Sequence, residues 1–147
     1  MHKEIWTIGR ILQWTEQYFQ SKEMDTPRLD GEVLLSHVLG KDRIYLYTHY
    51  DQPLIQEELD AFRPLVQQRA KGYSVASITG QKDFMGLTFK VNDKVLIPRP
   101  DTETLIVHVL DTYSEDCTIR ILDICTGPGT ILLSLLHYLP NAVGVGL

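Results

Sequence analysis

The sequence has few cysteines and no long apolar run, and these absences exclude several classes of protein. Only two cysteines occur among 147 residues, Cys117 and Cys125, without a paired CxxC spacing, and the five histidines are scattered. We therefore expect neither a disulfide scaffold nor a metal site. The apolar stretches fall far short of the ~20 residues that a membrane span needs, and the first residues do not form a secretory signal. These patterns predict a cytoplasmic protein with no membrane contact.

A basic excess is also lacking. Residues 1–71 carry nine basic and eleven acidic side chains, and residues 72–147 carry five and eight, which gives a net charge of -5. Binding to nucleic acid by neutralisation of phosphates needs clustered Lys and Arg. We therefore expect no direct nucleic-acid binding. The composition, 44% hydrophobic and 22% charged, is that of an ordinary globular chain.

Helical periodicity dominates the first seventy residues. A first helix is predicted from residue 5 to the polar turn at 21–23, because one face collects five residues at helical spacing: Ile5, Ile8, Leu12, Thr15 and Phe19. A second helix is predicted from Pro27, after a capping side chain, to Gly40. Its apolar positions nearly encircle the axis, which predicts the most buried helix of the group.

A short helical segment at 42–49 and a fourth helix complete this region. The fourth helix has a narrow apolar stripe at Ile55, Leu59, Phe62 and Val66. Pro64 lies inside the stripe, so we expect a kink or a break there, since proline removes a hydrogen bond from the helix interior.

After residue 72 the periodicity changes. Residues 81–91 indicate a β-hairpin with Met85-Gly86 as its connection. The proline-rich run at 98–101 introduces a helix that is expected to bury four side chains: Leu105, Ile106, Val109 and Leu110. A strand at 119–124, a helix at 130–139 and a strand at 142–145 then predict one βαβ unit, which opens an α/β domain.

The turn between the strand at 119–124 and the helix at 130–139 is the candidate ligand-binding site. The sequence from Asp123 to Gly129 ends an apolar strand in a carboxylate and enters the helix through two glycines. Such a turn places a ligand site at the carboxyl edge of a parallel strand. Glycine lets a ligand approach the backbone, and free amides at a helix start favour negative charge.

The loop sequence allows four interpretations: one of three ligand-binding motifs, or a turn with a purely structural role. A dinucleotide fingerprint needs a third glycine, where this chain has Leu132, and a phosphate loop needs a lysine that is absent. The acidic-x-Gly-x-Gly-x-Gly pattern of S-adenosylmethionine-dependent methyltransferases fits best. In this chain Cys125 takes the place of the first glycine, and Gly127 and Gly129 follow.

Motifs outside the loop make the resemblance specific. In order along the chain they are Arg69-Ala-Lys-Gly-Tyr73, Ile78-Thr-Gly80, Phe84-Met-Gly-Leu87, Leu96-Ile-Pro-Arg-Pro-Asp-Thr-Glu103 and Asp123-Ile-Cys-Thr-Gly-Pro-Gly129. Together they closely resemble the N-terminal half of the bacterial HemK/PrmC-type release-factor glutamine methyltransferases, and the "IPRPDTE" run is more specific than the glycine loop.

The resemblance implies an α + α/β fold in three parts. Residues 1–72 would form a helical substrate-recognition domain, residues 73–100 a linker with the hairpin, and residues 101–147 the start of a Rossmann-like methyltransferase domain. It also implies S-adenosylmethionine as the methyl donor and the glutamine of the release-factor Gly-Gly-Gln motif as the acceptor. The cofactor would contact six residues: Asp123, Cys125, Thr126, Gly127, Pro128 and Gly129.

The chain departs from the family pattern at several positions. Ser74 and Ser77 stand where family members usually have Pro and Tyr, and Pro128 stands where a small hydroxyl residue is common. The family's ribose-binding acidic residue and its Asn-Pro-Pro-Tyr motif, which holds the substrate amide, would lie beyond Leu147. No catalytic residue is therefore expected within residues 1–147, and we expect this chain alone to be inactive.

Further residues allow two interpretations each. Phe84 and Phe89 could form a wall of the active site or pack in the core, and Arg99 could guide a ligand or order its loop. Trp6 and Trp14 could form a partner surface or contact a neighbouring helix. For the whole protein, the alternatives are a nucleic-acid amino-group methyltransferase of the same fold and a non-enzymatic helical binding module with a vestigial α/β tail.

Overall fold

A computed structural model describes residues 5–147, which divide into two compact units, one ending at Thr79 and the other beginning at Gly80. The first unit contains five helices: α1 (Ile8–Gln20), α2 (Pro27–Leu39), α3 (Arg43–Thr48), α4 (Gln56–Ala70) and α5 (Val75–Thr79). Its buried core is apolar and comprises Ile8, Ile11, Leu12, Phe19, Leu34, Leu35, Leu46, Leu54, Phe62 and Val66. In the described range no helix is long and apolar enough to cross a membrane.

Helix α1 begins three residues later than the periodicity predicts. Thr7 caps it, because its Oγ1 accepts a hydrogen bond from the backbone N–H of Arg10 at 3.3 Å. Ile5 therefore precedes the helix and is 66% exposed, so its predicted place on the buried face is wrong. The other four positions of that face, Ile8 to Phe19, are buried as expected.

Helix α2 has the predicted ends, but the side chains that it buries are not all apolar. It stops at Gly40, whose left-handed backbone (φ 61°) closes the C-terminus. Five of its thirteen residues are buried, against six of thirteen in α1, but only two residues of α2 are exposed, against five in α1. Leu29 is 41% exposed, whereas the acidic side chains of Asp30 and Glu32 are buried. Apolar spacing could not reveal this, because the buried face of α2 is partly charged.

Helix α4 runs without interruption through Pro64. The proline side is exposed to solvent, and Phe62 and Val66 are buried on the opposite side. The hydrogen bond that proline removes is therefore lost where water can replace it, and the packed face is kept. The break that Pro64 suggested does not occur.

The second unit opens with the predicted hairpin. Strands β1 (Gln81–Phe84) and β2 (Leu87–Lys90) pair antiparallel, with Phe84 opposite Leu87. Met85 and Gly86 both have positive φ, 50° and 70°, as a two-residue type I′ turn requires. A 3₁₀ turn, Pro100–Thr102, then leads into α6 (Glu103–Thr112).

Only one of the four side chains predicted to be buried in α6 is fully buried. Ile106 is inaccessible, whereas Leu105 is 50% exposed and Val109 and Leu110 are half-buried. Helix α6 packs mainly on α7 (Thr130–Tyr138), so a single stripe is covered. The wider apolar surface of α6 has no cover among the described residues.

The predicted βαβ unit is present. Strands β3 (Arg120–Asp123) and β4 (Val143–Gly146) pair in parallel, and α7 is the crossover between them. Helix α7 lies close against the sheet at Gly144, where a Cβ atom would come within 2.4 Å of Leu132 Cδ1. The predicted fold class, a helical bundle, a hairpin and the start of a Rossmann-like domain, is confirmed.

The opposite face of this two-stranded sheet is uncovered in the part of the chain that the structure describes. The register pairs Leu122 with Val145 and Arg120 with Val143, so these side chains share one face. Leu122, Val143 and Val145 are 55–64% exposed, and we call them the open sheet face. Parallel strands are usually covered on both sides.

Candidate functional site

The loop between β3 and α7 has three left-handed residues at alternate positions. Cys125, Gly127 and Gly129 have φ values of 63°, 56° and 78°. These are the three glycine positions of the methyltransferase pattern. Cys125 therefore adopts a left-handed backbone conformation that favours glycine, and its Cβ atom makes that conformation costly.

Hydrogen bonds within the loop fix its shape. Thr126 Oγ1 donates to Asp123 Oδ2 at 2.8 Å, and the Thr126 N–H donates to the carbonyl of Leu147 at 3.0 Å. The Leu147 N–H donates in turn to the carbonyl of Asp123 at 2.9 Å. Gly146 lies beside the loop, since a Cβ there would come within 2.9 Å of Thr126 Oγ1. Small β4 residues thus let the loop and the second strand approach each other.

The outer side of the loop is open. A Cβ atom at Gly127 would meet nothing within 4 Å, and Cys125 is exposed. The first hydrogen bond inside α7 runs from Leu133 N–H to the Gly129 carbonyl at 2.9 Å, so the amides of residues 130–132 precede it. Pro128 supplies no N–H. The backbone amides at the start of α7 can bind an anionic group. The loop offers one backbone donor fewer than it would with any other residue at position 128.

The aromatic residues of the hairpin pack together. Phe84 and Phe89 are 2% and 8% exposed, and their ring centroids lie 6.2 Å apart in an edge contact. This burial favours the packing interpretation, and a role as an active-site wall stays a prediction. Arg99 is exposed, and its backbone carbonyl accepts from the Thr102 N–H at 3.1 Å.

Two contacts that the sequence analysis missed hold the hairpin turn. The Met85 N–H donates to Glu103 Oε1 at 2.8 Å, and the Tyr138 hydroxyl donates to the Met85 carbonyl at 2.7 Å. The partners lie 18 and 53 residues from Met85 in sequence, so no local pattern reveals them. They attach the turn to α6 and to α7.

A buried charge cluster in the helical unit also escaped prediction. The Glu32 side chain is inaccessible to solvent and binds Arg28 Nε at 2.6 Å and Arg43 Nη2 at 2.7 Å. The Tyr47 hydroxyl donates to the same carboxylate. Nearby, Asp30 accepts from Arg69 Nε at 2.7 Å. These pairs connect α2 with α3 and α4.

The cluster keeps Glu32 ionised. Burial alone raises the pKa of Glu32, but hydrogen bonds from Tyr47, Arg28 and Arg43 outweigh it, and the pKa falls below its ordinary value of 4.5. The hydrogen bond to Glu32 raises the pKa of Arg43. Burial lowers the pKa of Arg28, but its bonds to the cluster raise it further, so both guanidinium groups stay charged. The described residues contain no His, Cys, Asp and Glu grouping that could hold a metal ion.

The fold and the loop together define the class of protein: a helical domain precedes the opening of a Rossmann-like domain with a methyltransferase-type loop. Residues 10–80 match the family described as the PrmC N-terminal domain. The chain is also similar to three proteins named release factor glutamine methyltransferase. It is 40% identical to that of Rhodopirellula baltica, 44% to that of Geobacter sulfurreducens and 39% to that of Chlorobaculum tepidum.

These similarities cover nearly all of the chain but only part of each relative. They extend over 92%, 97% and 95% of the chain and over 47%, 50% and 49% of the respective relative. The chain thus spans about half the length of the relatives that it matches. The chain corresponds to the N-terminal half of these release factor glutamine methyltransferases, which confirms the resemblance found in the sequence.

Proposed function

We propose that this chain is the part of a protein-glutamine methyltransferase that recognises a peptide chain release factor and forms half of the cofactor site. The substrate position would be the side-chain amide nitrogen of the glutamine in the Gly-Gly-Gln motif, and the donor S-adenosylmethionine. The observation that carries the proposal is the left-handed backbone at Cys125, Gly127 and Gly129. It occurs in a chain whose relatives are named release factor glutamine methyltransferase.

The residues of the loop fit such a donor. The open space outside Gly127 admits a ligand to the backbone, and the amides at the start of α7 suit its carboxylate. Asp123 is oriented by Thr126 at the carboxyl end of β3. When bound, the donor supplies a methyl group on a sulfonium, which is already a strong electrophile. The task left to the protein is to position and desolvate the amide.

The parts of the chain would divide this work. Residues 1–72 would recognise the release factor, and residues 101–147 would form half of the cofactor pocket. Residues 73–100 would link these two parts. Residues 1–147 contain no Asn-Pro-Pro-Tyr sequence to hold the amide. We therefore propose that this stretch alone transfers no methyl group, and that the parent enzyme acts in the cytoplasm in support of translation termination.

A chimera tests the proposal. The chain is joined to the C-terminal half of the Geobacter sulfurreducens relative and incubated with labelled S-adenosylmethionine and a release factor. We expect label on the Gly-Gly-Gln glutamine, and none with the 147-residue chain alone. A folded chimera that binds the donor but leaves the release factor unlabelled would contradict the proposed substrate.

A single substitution tests whether the loop between β3 and α7 binds the donor. In the full-length chimera, Gly127→Val should abolish donor binding, because a branched side chain at φ 56° distorts the loop and fills the open space. Gly40→Val is the matched control, since Gly40 has a similar φ of 61° and nothing within 4 Å of its Cβ position. Equal donor affinity in the two variants would remove Gly127 from the site.

A further inference from the structure

The hydroxyl of Thr126 is engaged inside the loop between β3 and α7. Its Oγ1 donates to Asp123 Oδ2 at 2.8 Å. A hydroxyl carries a single hydrogen, so this bond uses the one that Thr126 can donate. The hydroxyl therefore has no hydrogen left for a ligand, and the group that it fixes is the Asp123 carboxylate.

The position of that hydroxyl is held from two directions. The Thr126 N–H donates to the carbonyl of Leu147 at 3.0 Å, which ties the loop to the residue that follows β4. Gly146 lies against the side chain, because a Cβ atom there would come within 3.1 Å of both Cβ and Cγ2 of Thr126. A β-branched side chain has few rotamers, and this close contact restricts Thr126 further. The hydroxyl is thus held in place before any ligand binds.

Asp123 has one side-chain oxygen engaged and one without a partner. Within residues 5–147, Thr126 is the one residue that donates to the Asp123 carboxylate, and no cationic side chain pairs with it. The residue is half-buried. A half-buried carboxylate oxygen without a partner favours a ligand group that is positively charged and donates hydrogen bonds.

The Asp123 carboxylate and the amides at the start of α7 lie on the same side of the sheet. Asp123 pairs with Gly146, two residues from Gly144, where α7 packs on the strand. Leu122 belongs to the open sheet face, and successive strand residues point to opposite faces. The side that α7 covers therefore offers both an anionic acceptor and backbone donors. An α-amino acid matches this arrangement, because it carries an ammonium and a carboxylate group on one carbon.

We propose that Thr126 is a positioning residue for the methyl donor: its hydroxyl holds the Asp123 carboxylate so that Oδ1 receives the ammonium group of the donor. This inference rests on the proposed function, because the proposed donor, S-adenosylmethionine, ends in an amino-acid group. The Thr126 hydroxyl acts on the donor through Asp123. Without it the carboxylate turns more freely, and the ammonium group loses a fixed acceptor.

Two ligands that differ in the amino-acid group test this role in the full-length chimera. S-adenosylhomocysteine has the group, and methylthioadenosine lacks it. We expect Thr126→Val, which keeps the shape without the hydroxyl, to weaken binding of S-adenosylhomocysteine by about tenfold. Binding of methylthioadenosine should stay unchanged. Thr126→Ser should restore the affinity for S-adenosylhomocysteine, because it returns the hydroxyl. Isothermal titration calorimetry measures each affinity.

Thr112→Val is the matched control, because the Thr112 hydroxyl donates to the His108 carbonyl at 2.8 Å in the same unit. It should leave the affinity for both ligands unchanged. An equal loss of both ligands in Thr126→Val would mean that the substitution disturbs the whole loop, and it would overturn the positioning role. Failure of Thr126→Ser to restore binding would overturn it as well.

A double-mutant cycle tests whether Thr126 acts through Asp123. Asp123→Asn keeps an oxygen that accepts from Thr126 but removes the negative charge, so it should weaken binding of S-adenosylhomocysteine and spare methylthioadenosine. Thr126→Val should then add little to this loss, whereas losses that add in full would contradict the inference. If the unsubstituted chimera binds neither ligand, the proposed donor site is wrong, and the inference falls with it.

Discussion

At the scale of single residues, the buried carboxylate of Glu32 has a direct consequence for stability. Its side chain is inaccessible, and every interaction that compensates its burial comes from Arg28, Arg43 and Tyr47. A buried charge that loses its partners is strongly destabilising. Conversely, two arginines that lose Glu32 keep their charge and no longer hold α3 against α2.

Glu32→Gln should therefore destabilise the helical unit by about 3 kcal/mol. Glutamine keeps the shape but removes the negative charge between Arg28 and Arg43. Urea denaturation, monitored by tryptophan fluorescence, measures the free energy of unfolding, because both tryptophans lie in this unit. Asp51→Asn, at an exposed position, is the control and should change little. Equal denaturation midpoints for the two variants would contradict the prediction.

The same carboxylate predicts how stability depends on pH. Because the pKa of folded Glu32 lies below its ordinary value of 4.5, its contribution is complete above about pH 4.5 and is lost as the pH falls towards the lower folded value. Arg28, Arg43 and Tyr47 face the carboxylate, and Glu16 binds the same Arg28. The wild-type unfolding free energy should fall on acidification. The Glu32→Gln variant should show a weaker dependence, and parallel curves would exclude Glu32 as the cause.

Cys125 is the second residue with a consequence for stability. Its φ of 63° costs a residue with a Cβ atom about 1 kcal/mol relative to glycine. Cys125→Gly should therefore stabilise the α/β unit by about 1 kcal/mol and slow hydrogen exchange of α7 amides. Cys125→Ala removes the thiol but keeps the Cβ, so it should bring no such gain. If both variants stabilise equally, the thiol and not the backbone is responsible.

At this scale the sequence predicted the loop but not the charge cluster. The spacing of Asp123, Gly127 and Gly129 was sufficient, because glycine positions are required by local backbone geometry. Glu32 finds its partners on two helices, at sequence separations of four to fifteen residues. Helical spacing brings Arg28 beside Glu32 within α2, but only the packing of α3 on α2 adds Arg43 and Tyr47, so periodicity could not reveal the whole cluster.

At the scale of elements, the hairpin shows a local turn supported by distant contacts. Met85 occupies a left-handed position with a Cβ atom, which makes Met-Gly a poor turn on its own. The bonds from Met85 to Glu103 and Tyr138 compensate for this. The hairpin was predictable from its alternation, whereas the reason for its stability lies in α6 and α7.

Tyr138→Phe should loosen the hairpin. The variant keeps the ring but leaves the Met85 carbonyl without its hydroxyl donor, at a cost of about 1 kcal/mol. Hydrogen exchange of the amides in β1 and β2 should become faster, while β3 and β4 stay unchanged. Tyr113→Phe, at an exposed tyrosine, is the control. Unchanged exchange in the hairpin would show that the bond does not support the turn.

Helices were predicted better than their exposed faces. The positions of α1, α2, α3 and α4 follow from apolar spacing and end signals, which act locally. Leu105 was expected to be buried and is 50% exposed, because burial depends on which neighbours are present. Apolar spacing fixes a face of a helix but not how much of that face finds cover.

At the scale of the whole molecule, the chain consists of two compact units that meet in sequence at residues 79 and 80. The helical unit has a continuous core of ten buried apolar residues. It includes α5, which packs on α2 and α4 and lies in sequence beyond residue 72. Its core contacts therefore do not depend on the α/β unit.

We predict that residues 1–79 fold on their own. The excised segment should unfold cooperatively on heating, because its core and its charge cluster lie entirely within it, although a domain of this size is marginal. Far-UV circular dichroism and tryptophan fluorescence should give coincident transitions. A segment ending at residue 72, which lacks α5, should melt at a lower temperature. A broad, non-cooperative transition in both segments would show that the bundle depends on the second unit.

The open sheet face also governs how the chain behaves as temperature changes. Leu122, Val143 and Val145 present apolar surface to water on strands whose other side is already covered. Association through such surface is driven by the release of ordered water, and this entropic drive weakens on cooling. Chains that adhere through this face should therefore separate in the cold and cloud on warming, before either unit has begun to unfold.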